Sequence, residues 1–227
     1  MGEVMVTGAT GGIGQAVVAA LVAAGHQVSA VGRDPDRLRS GPGVRAVIVD
    51  LAQPQQLAQA IGEPGQLDAL VHCAGVSIEA IAPVADTAPA VWQETMAVNV
   101  LAAAELTRLA LPALRRSRGH VVFINSARGV RAVPGWSAFA ASKAALQELA
   151  DSLRGEEAGN GVRVTTIYPG ATATEHLRQV RAALGRGYDP QRCIQPETLA
   201  ATVAWVLAAP RDAYVTEVSM LAAPRGN

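Results

Sequence analysis

A short apolar run, Val4-Met5-Val6, feeds into Thr7-Gly8-Ala9-Thr10-Gly11-Gly12-Ile13-Gly14, and residues 16–24 then have helical composition. A glycine-rich turn between a strand and a helix suits backbone that must bend sharply or lie close against a ligand, because glycine has no Cβ in the way. The helix that follows offers unpaired N–H groups and the positive end of its dipole, which favour an anion. Gly8, Thr10, Gly12, Ile13 and Gly14 are therefore expected to hold the pyrophosphate of a dinucleotide. A plain loop is the alternative for such a turn taken alone, so the rest of the chain must decide.

The remaining pattern is a regular alternation. Apolar runs at 27–31, 44–49, 68–72, 119–126, 162–168 and 213–220 read as strands, and 54–61, 89–114, 137–157 and 196–207 read as helices. Short apolar strands alternating with helices imply an α/β fold: a Rossmann-like, doubly wound parallel sheet of about seven strands with helices on both faces. Half of the 227 residues are apolar and no linker or repeat interrupts them, so residues 1–227 are expected to form one dinucleotide-binding domain. Lys plus Arg and Asp plus Glu balance at 19 each, which provides no field for nucleic acid or an anionic membrane. No apolar run is expected to reach the length of a membrane span, and no basic leader follows Met1. Cys73 and Cys193 lack the spacing of metal ligands, so no metal is expected and a reducing, cytoplasmic setting fits.

Chemistry-bearing residues fall at strand ends, where doubly wound sheets bind ligands. After the second strand, Gly32 stands where a carboxylate would accept from an adenosine ribose, and Arg33 follows; that favours NADP(H) over NAD(H), since a guanidinium pairs a 2′-phosphate. The bland reading is that Arg33 solvates a loop and Asp34 caps a helix ahead of Pro35. Asp50 and Leu51 close the third strand, where they can meet the adenine amino group and ring, and Ala74 and Gly75 let a ligand lie against backbone after the fourth. His72 reads as a strand-end residue. Asn99, inside an apolar helix, is costly unless hydrogen-bonded, so it is expected to organise water or a backbone carbonyl in the crevice, with a surface Asn as the bland alternative. Ser126 ends the fifth strand, and Phe139 and Lys143 share one helix face four residues apart. Pro169, Gly170, Thr172 and Thr174 follow the sixth strand. Residues 175–195, with Arg178, Arg181, Arg186 and Arg192, read as a lid. Arg128, Arg131 and Trp136 add to the hint of a polar or anionic substrate with a ring or apolar body, and solvated loop arginines are the bland reading of Arg128 and Arg131.

Taken together, these residues resemble the short-chain dehydrogenase/reductase superfamily over nearly the whole chain. Thr7, Gly8, Gly12 and Gly14 match its glycine motif; Ala74-Gly75 match half of its strand-four motif, whose two asparagines are His72 and Cys73 here. The family's catalytic Asn, Ser and Lys fall on Asn99, Ser126 and Lys143, and Pro169, Gly170, Thr172 and Thr174 match its nicotinamide-contacting loop. Phe139 stands where the family has its catalytic Tyr. The resemblance implies hydride transfer between a nicotinamide and a small carbonyl compound or secondary alcohol, with homodimers or homotetramers formed through the helices at 89–114 and 137–157. It assigns Ser126 to the substrate oxygen and Lys143 to the nicotinamide ribose. A phenylalanine cannot give the proton that the family's tyrosine gives, so turnover is expected to fall on the order of 10²–10⁴-fold. Three explanations are open, in order of preference: an engineered removal of the hydroxyl, a natural non-catalytic dinucleotide-binding or regulatory member, or a proton from Tyr168 or Tyr188.

Overall fold

The computed structural model describes residues 2–38, 40–127 and 134–224. Seven strands, β1 (Glu3–Thr7), β2 (Gln27–Gly32), β3 (Val44–Ile48), β4 (Ala69–His72), β5 (His120–Ile124), β6 (Arg163–Pro169) and β7 (Glu217–Met220), form one sheet in the order β3-β2-β1-β4-β5-β6-β7. Every pairing is parallel. Strands of such a sheet are covered on both faces, which is why β4 and β5 are buried at every residue.

Side-chain alternation divides the core in two. Met5, Leu70, Val121 and Phe123 point to one side, against Leu106, Ala110 and Leu114 of α4 (Ala102–Ser117) and Leu146, Ala150 and Leu153 of α5 (Ser137–Glu157). Val4, Val6, Val71 and Val122 point to the other, against Val17 and Leu21 of α1 (Gly12–Ala23) and Leu199, Val203 and Val206 of α7 (Pro196–Ala208). The remaining helices are α2 (Leu57–Ile61), α3 (Pro89–Met96) and α6 (Glu175–Ala183). Strand order reverses between β1 and β4, and there the carboxyl ends of the strands part to leave a crevice.

The structure corrects several sequence expectations. The first helix starts at Gly12, inside the glycine turn, so its N-terminus opens directly on the crevice. The helix expected over 89–114 is α3 and α4 joined by a π-helical turn, Ala97–Leu101, a wider turn of the kind that collects at functional sites. Its continuous length, Pro89–Ser117, and apolar composition are sufficient to cross a membrane, contrary to the sequence reading. Half of its most apolar window is buried inside the fold, where burial against the sheet accounts for the composition. The expected 54–61 helix begins as a 3-10 turn, and β7 is shorter than expected. Strand β5 stops at Ile124, so Ser126 stands on the loop beyond it.

Candidate active site

The glycines of the first turn are required by what surrounds them. Gly8 has φ of 64°, and a Cβ there would meet the Ala74 backbone at 2.7 Å. On Gly14 a Cβ would lie 2.1 Å from the Gly8 carbonyl oxygen, and on Gly12 one would lie 2.9 Å from Thr174 Cγ2. Backbone from β1, β4 and β6 thus converges on the start of α1, whose N-cap is Gly11 and whose first turn carries no acidic side chain. This is a cradle for an anion built of peptide N–H groups and a helix dipole.

Two cavities meet beside it. The smaller, about 190 Å³, is lined by Gly8, Thr10, Gly32, Arg33, Asp50 and Leu51, the residues expected to face an adenosine. Asp50 Oδ1 also accepts from the Ala52 N–H at 3.0 Å, a local turn that fixes its carboxylate. Asp34 is turned to structural use, accepting from the N–H groups of Asp36 and Arg37, with no helix following. Arg37 was not singled out from the sequence; its Nη2 donates to the Thr10 carbonyl at 2.9 Å, which brings a second guanidinium to this end of the crevice.

The larger cleft, about 360 Å³, shares Cys73, Ala74 and Gly75 with the first and is lined by Ser126, Phe139, Lys143, Pro169, Thr172 and Thr174 among others. Together the two form one crevice that runs past the glycine turn, with Arg33 and Asp50 lining one part and Ser126, Phe139 and Lys143 the other. Lys143 Nζ donates to the Ile124 carbonyl at 3.2 Å and lies 5.8 Å from the centre of the Phe139 ring. Burial lowers its pKa to about 8, against a smaller opposing pull from Cys73. The Cys73 thiol is pushed up to about 12 by burial, Lys143 opposing, which favours its protonated form. Phe139 packs edge-on to Trp136, ring centres 5.2 Å apart. Thr174 caps α6, its Oγ1 accepting from the Leu177 N–H at 3.1 Å, and Thr172 Oγ1 donates to the Gly170 carbonyl at 3.1 Å.

Asn99 stands behind this wall in the π-helical turn, 1% exposed. Its Oδ1 accepts from the Val76 N–H at 2.8 Å, and its Nδ2 donates to the Val76 carbonyl at 3.0 Å and to Ser142 Oγ at 2.9 Å. Ser142 Oγ donates in turn to the Phe139 carbonyl at 2.8 Å. One amide therefore ties the loop after β4 to the helix that carries Phe139 and Lys143. A Cβ on Gly75 would lie 3.5 Å from Asn99 Oδ1 and 3.6 Å from Lys143 Nζ, so the two groups flank the same backbone. Asn125 does a similar job unnoticed in the sequence: its Oδ1 accepts from the Ser126 N–H at 2.9 Å and its Nδ2 donates to the Lys143 carbonyl at 3.1 Å.

His72 is a buried core residue, bonded to Thr107 Oγ1 at 3.1 Å and stacked on Phe123; burial lowers its pKa to about 3. Arg178 pairs Glu175 at 2.6 Å on the exposed surface, while Arg181 and Arg186 line the cleft. Arg128 and Arg131 lie outside the described residues. Tyr168 is 2% exposed in β6, and neither it nor Tyr188 lines the cleft. His176, on the first turn of α6, does line it and was missed; its Nε2 shares a 2.7 Å hydrogen bond with Ser77 Oγ, 99 residues away in sequence. No local pattern announces a pair so distant.

Comparison with known proteins agrees with this geometry. Residues 3–185 match the short chain dehydrogenase family. An uncharacterized short-chain type dehydrogenase/reductase of Sinorhizobium fredii is 33% identical, covering 96% of this chain and 90% of the relative. An NADP-dependent 3-hydroxy acid dehydrogenase of Salmonella typhi is 29% identical over 96% of this chain and 94% of the relative. Among solved structures, a closed serine dehydrogenase complexed with NADP+ superposes with a TM-score of 0.83 at 26% identity, covering 96% of this chain and 94% of that one. Fold, glycine cradle and family match converge: the chain belongs to the short-chain dehydrogenases/reductases, a family of nicotinamide-dependent oxidoreductases.

Proposed function

We propose that this protein is an NADP(H)-dependent oxidoreductase that interconverts a small carbonyl compound and its secondary alcohol, with turnover impaired by Phe139. The observation that carries the reading is one cleft lined by Ser126, Lys143 and Phe139 beside an intact glycine cradle. When bound, the nicotinamide supplies or accepts the hydride. Ser126 orients the substrate oxygen, Lys143 holds the nicotinamide ribose, and Asn99 fixes both walls. Pro169, Gly170, Thr172 and Thr174 form the loop against the carboxamide. Phe139 keeps the ring that packs on Trp136 and lacks the hydroxyl that would pass the proton, which costs on the order of 10²–10⁴ in rate.

Arg33, with Arg37 nearby, supports NADP(H) over NAD(H), in line with the NADP-bound serine dehydrogenase and the NADP-dependent relative. Arg181 and Arg186 on the cleft support a polar or anionic substrate under a lid of residues 175–195. The relatives named for a 3-hydroxy acid and for serine are consistent with a carboxylate there. We further propose that residues 1–227 act as one domain, in the cytoplasm, as a homodimer or homotetramer. Leu101, 53% exposed between α3 and α4, supports pairing through that helix.

Restoring the hydroxyl tests the reading. Phe139→Tyr is expected to leave NADPH affinity unchanged and to raise carbonyl reduction by about 10²-fold or more. Tight NADPH binding with no gain across a broad panel of carbonyl compounds refutes it.

A further inference from the structure

Proton transfer needs a group that ionises within reach of the substrate oxygen. Among the described residues that line the cleft, the candidates are few. The Cys73 thiol is too weak an acid, the arginines keep their protons, and Lys143, which donates to the Ile124 carbonyl, is the group assigned to the nicotinamide ribose. The Ser126 hydroxyl is a far poorer acid than a phenol. His176 remains. Ser77, which holds it, is 4% exposed and follows β4, whereas His176 follows β6. Strand β5, from whose end the Ser126 loop emerges, lies between those two strands, and Ser77, His176 and Ser126 all line one cleft, which the 2.7 Å hydrogen bond spans from the β4 side to the β6 side. Such a bond fixes the imidazole on the cleft that Ser126 also lines. Its other nitrogen, Nδ1, has no hydrogen-bond partner among the described residues, and the side chain keeps an exposed surface for exchange with solvent.

We propose that His176, seated by Ser77, is the proton-transfer residue of this chain, carrying the residual reaction that Phe139 cannot serve. The inference rests on the oxidoreductase reading above. In alcohol oxidation the substrate O–H bond breaks, its proton passing to the imidazole and its electron pair forming the carbonyl bond, while the carbinol C–H bond breaks and its pair leaves as the hydride that NADP+ would accept; the imidazolium then releases the proton to solvent. In carbonyl reduction by NADPH the imidazolium N–H bond breaks, the product O–H forms, and solvent reprotonates the ring. Ser77 is a positioning residue.

The surroundings set the direction in which this works. Burial first, then the Lys143 ammonium on α5, lower the pKa of His176 from its ordinary value, and Glu79 after β4 opposes them. Arg181 and Arg186 on the lid add positive charge to the cleft, Cys73 adds none, and Glu175 on the same helix is engaged with Arg178. The lowered pKa favours the neutral imidazole, the base that oxidation needs, and acid favours the imidazolium that reduction needs.

The test uses the full chain with NADP+ and a panel of hydride donors that spans 2-propanol, 3-hydroxybutyrate and serine, alongside H176Q, S77A, F139Y and F139Y/H176Q. Affinity for NADPH is read by fluorescence, and the imidazole titration by histidine Cε1–Hε1 NMR, with His176 assigned by its loss in H176Q. We expect H176Q to bind NADPH within about twofold of the parent, to oxidise alcohol about 10²-fold more slowly and to lose the acid limb of the pH profile, while F139Y/H176Q recovers. S77A is expected to raise KM or lower kcat while moving both the His176 resonance and that limb together. An unchanged rate in H176Q overturns the proposal, as does a parent chain that is inert while F139Y turns over. A parent and F139Y both inert with NADPH bound reject the oxidoreductase reading itself, and the role of His176 with it.

Discussion

Replacing Asn99 by alanine removes three hydrogen bonds at one buried point. The Val76 N–H and carbonyl and the Ser142 hydroxyl each lose a partner, at 2.8, 3.0 and 2.9 Å. A buried polar group left unpaired costs about 1–3 kcal/mol. Val76 is only partly buried, so water can reach part of its backbone, and the buried Ser142 hydroxyl keeps its bond to the Phe139 carbonyl, so the low end applies to each of the three groups. The sum is about 3 kcal/mol, which for a chain of this size lowers the melting temperature by roughly 6–12 °C. Function suffers separately, because the same amide aligns the backbone at Gly75 with the helix bearing Lys143; NADPH affinity is expected to fall about tenfold even in the folded fraction, on the order of one lost hydrogen bond. Urea denaturation with and without NADPH, at temperatures well below the transition, measures both. Asn99→Asp sharpens the test. It keeps the acceptor for the Val76 N–H and sets a carboxylate against the Val76 carbonyl, so it should be at least as damaging at neutral pH and partly recover as acid protonates it and restores a donor. A loss below about 0.5 kcal/mol in Asn99→Ala, or equal damage from Asn99→Asp at all pH values, refutes the argument that this amide joins the two walls.

Three further outcomes follow from the same geometry. Arg33→Ala should weaken NADPH far more than NADH, by about tenfold or more in the ratio of dissociation constants, with Arg37→Ala acting in the same direction; equal losses for both nucleotides remove the 2′-phosphate argument. Arg115 forks both oxygens of Glu157, at 2.9 and 2.6 Å, and the Glu157 side chain is 2% exposed, so Arg115→Ala should lower the urea midpoint at pH 7, with Asn160 left as the remaining donor to Glu157. The Glu157 pKa is lowered chiefly by its hydrogen bond to Arg115, so that stabilisation is present above the ordinary glutamate pKa and is lost as pH falls through the lowered value; a difference between wild type and variant that grows in acid contradicts this. Lys143, with its pKa lowered to about 8, is a charge the fold carries at a cost that is relieved between pH 8 and the ordinary lysine value. Lys143→Met should therefore stabilise the nucleotide-free chain at pH 7 by about 1–3 kcal/mol while weakening NADPH, and a variant less stable than wild type at pH 7 would contradict the burial cost.

Periodicity and turn chemistry are local properties, and they determined the α/β class, the seven parallel strands and the glycine cradle, because a strand, a sharp turn and a helix each depend on residues a few positions apart. Even Phe139 and Lys143 were readable as one helix face, four residues apart on α5. The sequence could not say that Ser126 lies past the end of β5, that Asn99 occupies a π-helical turn, or that within the apolar stretch from Pro89 to Ser117 it is α4 that packs into the core. Nor could it foresee Asn125 bracing Ser126 to the Lys143 backbone, Arg37 returning to Thr10, or Ser77 meeting His176. Each of those depends on which strands become neighbours, and strand order is decided by how two layers of helices cover both faces of the sheet at once, a global packing condition that no short window of residues contains.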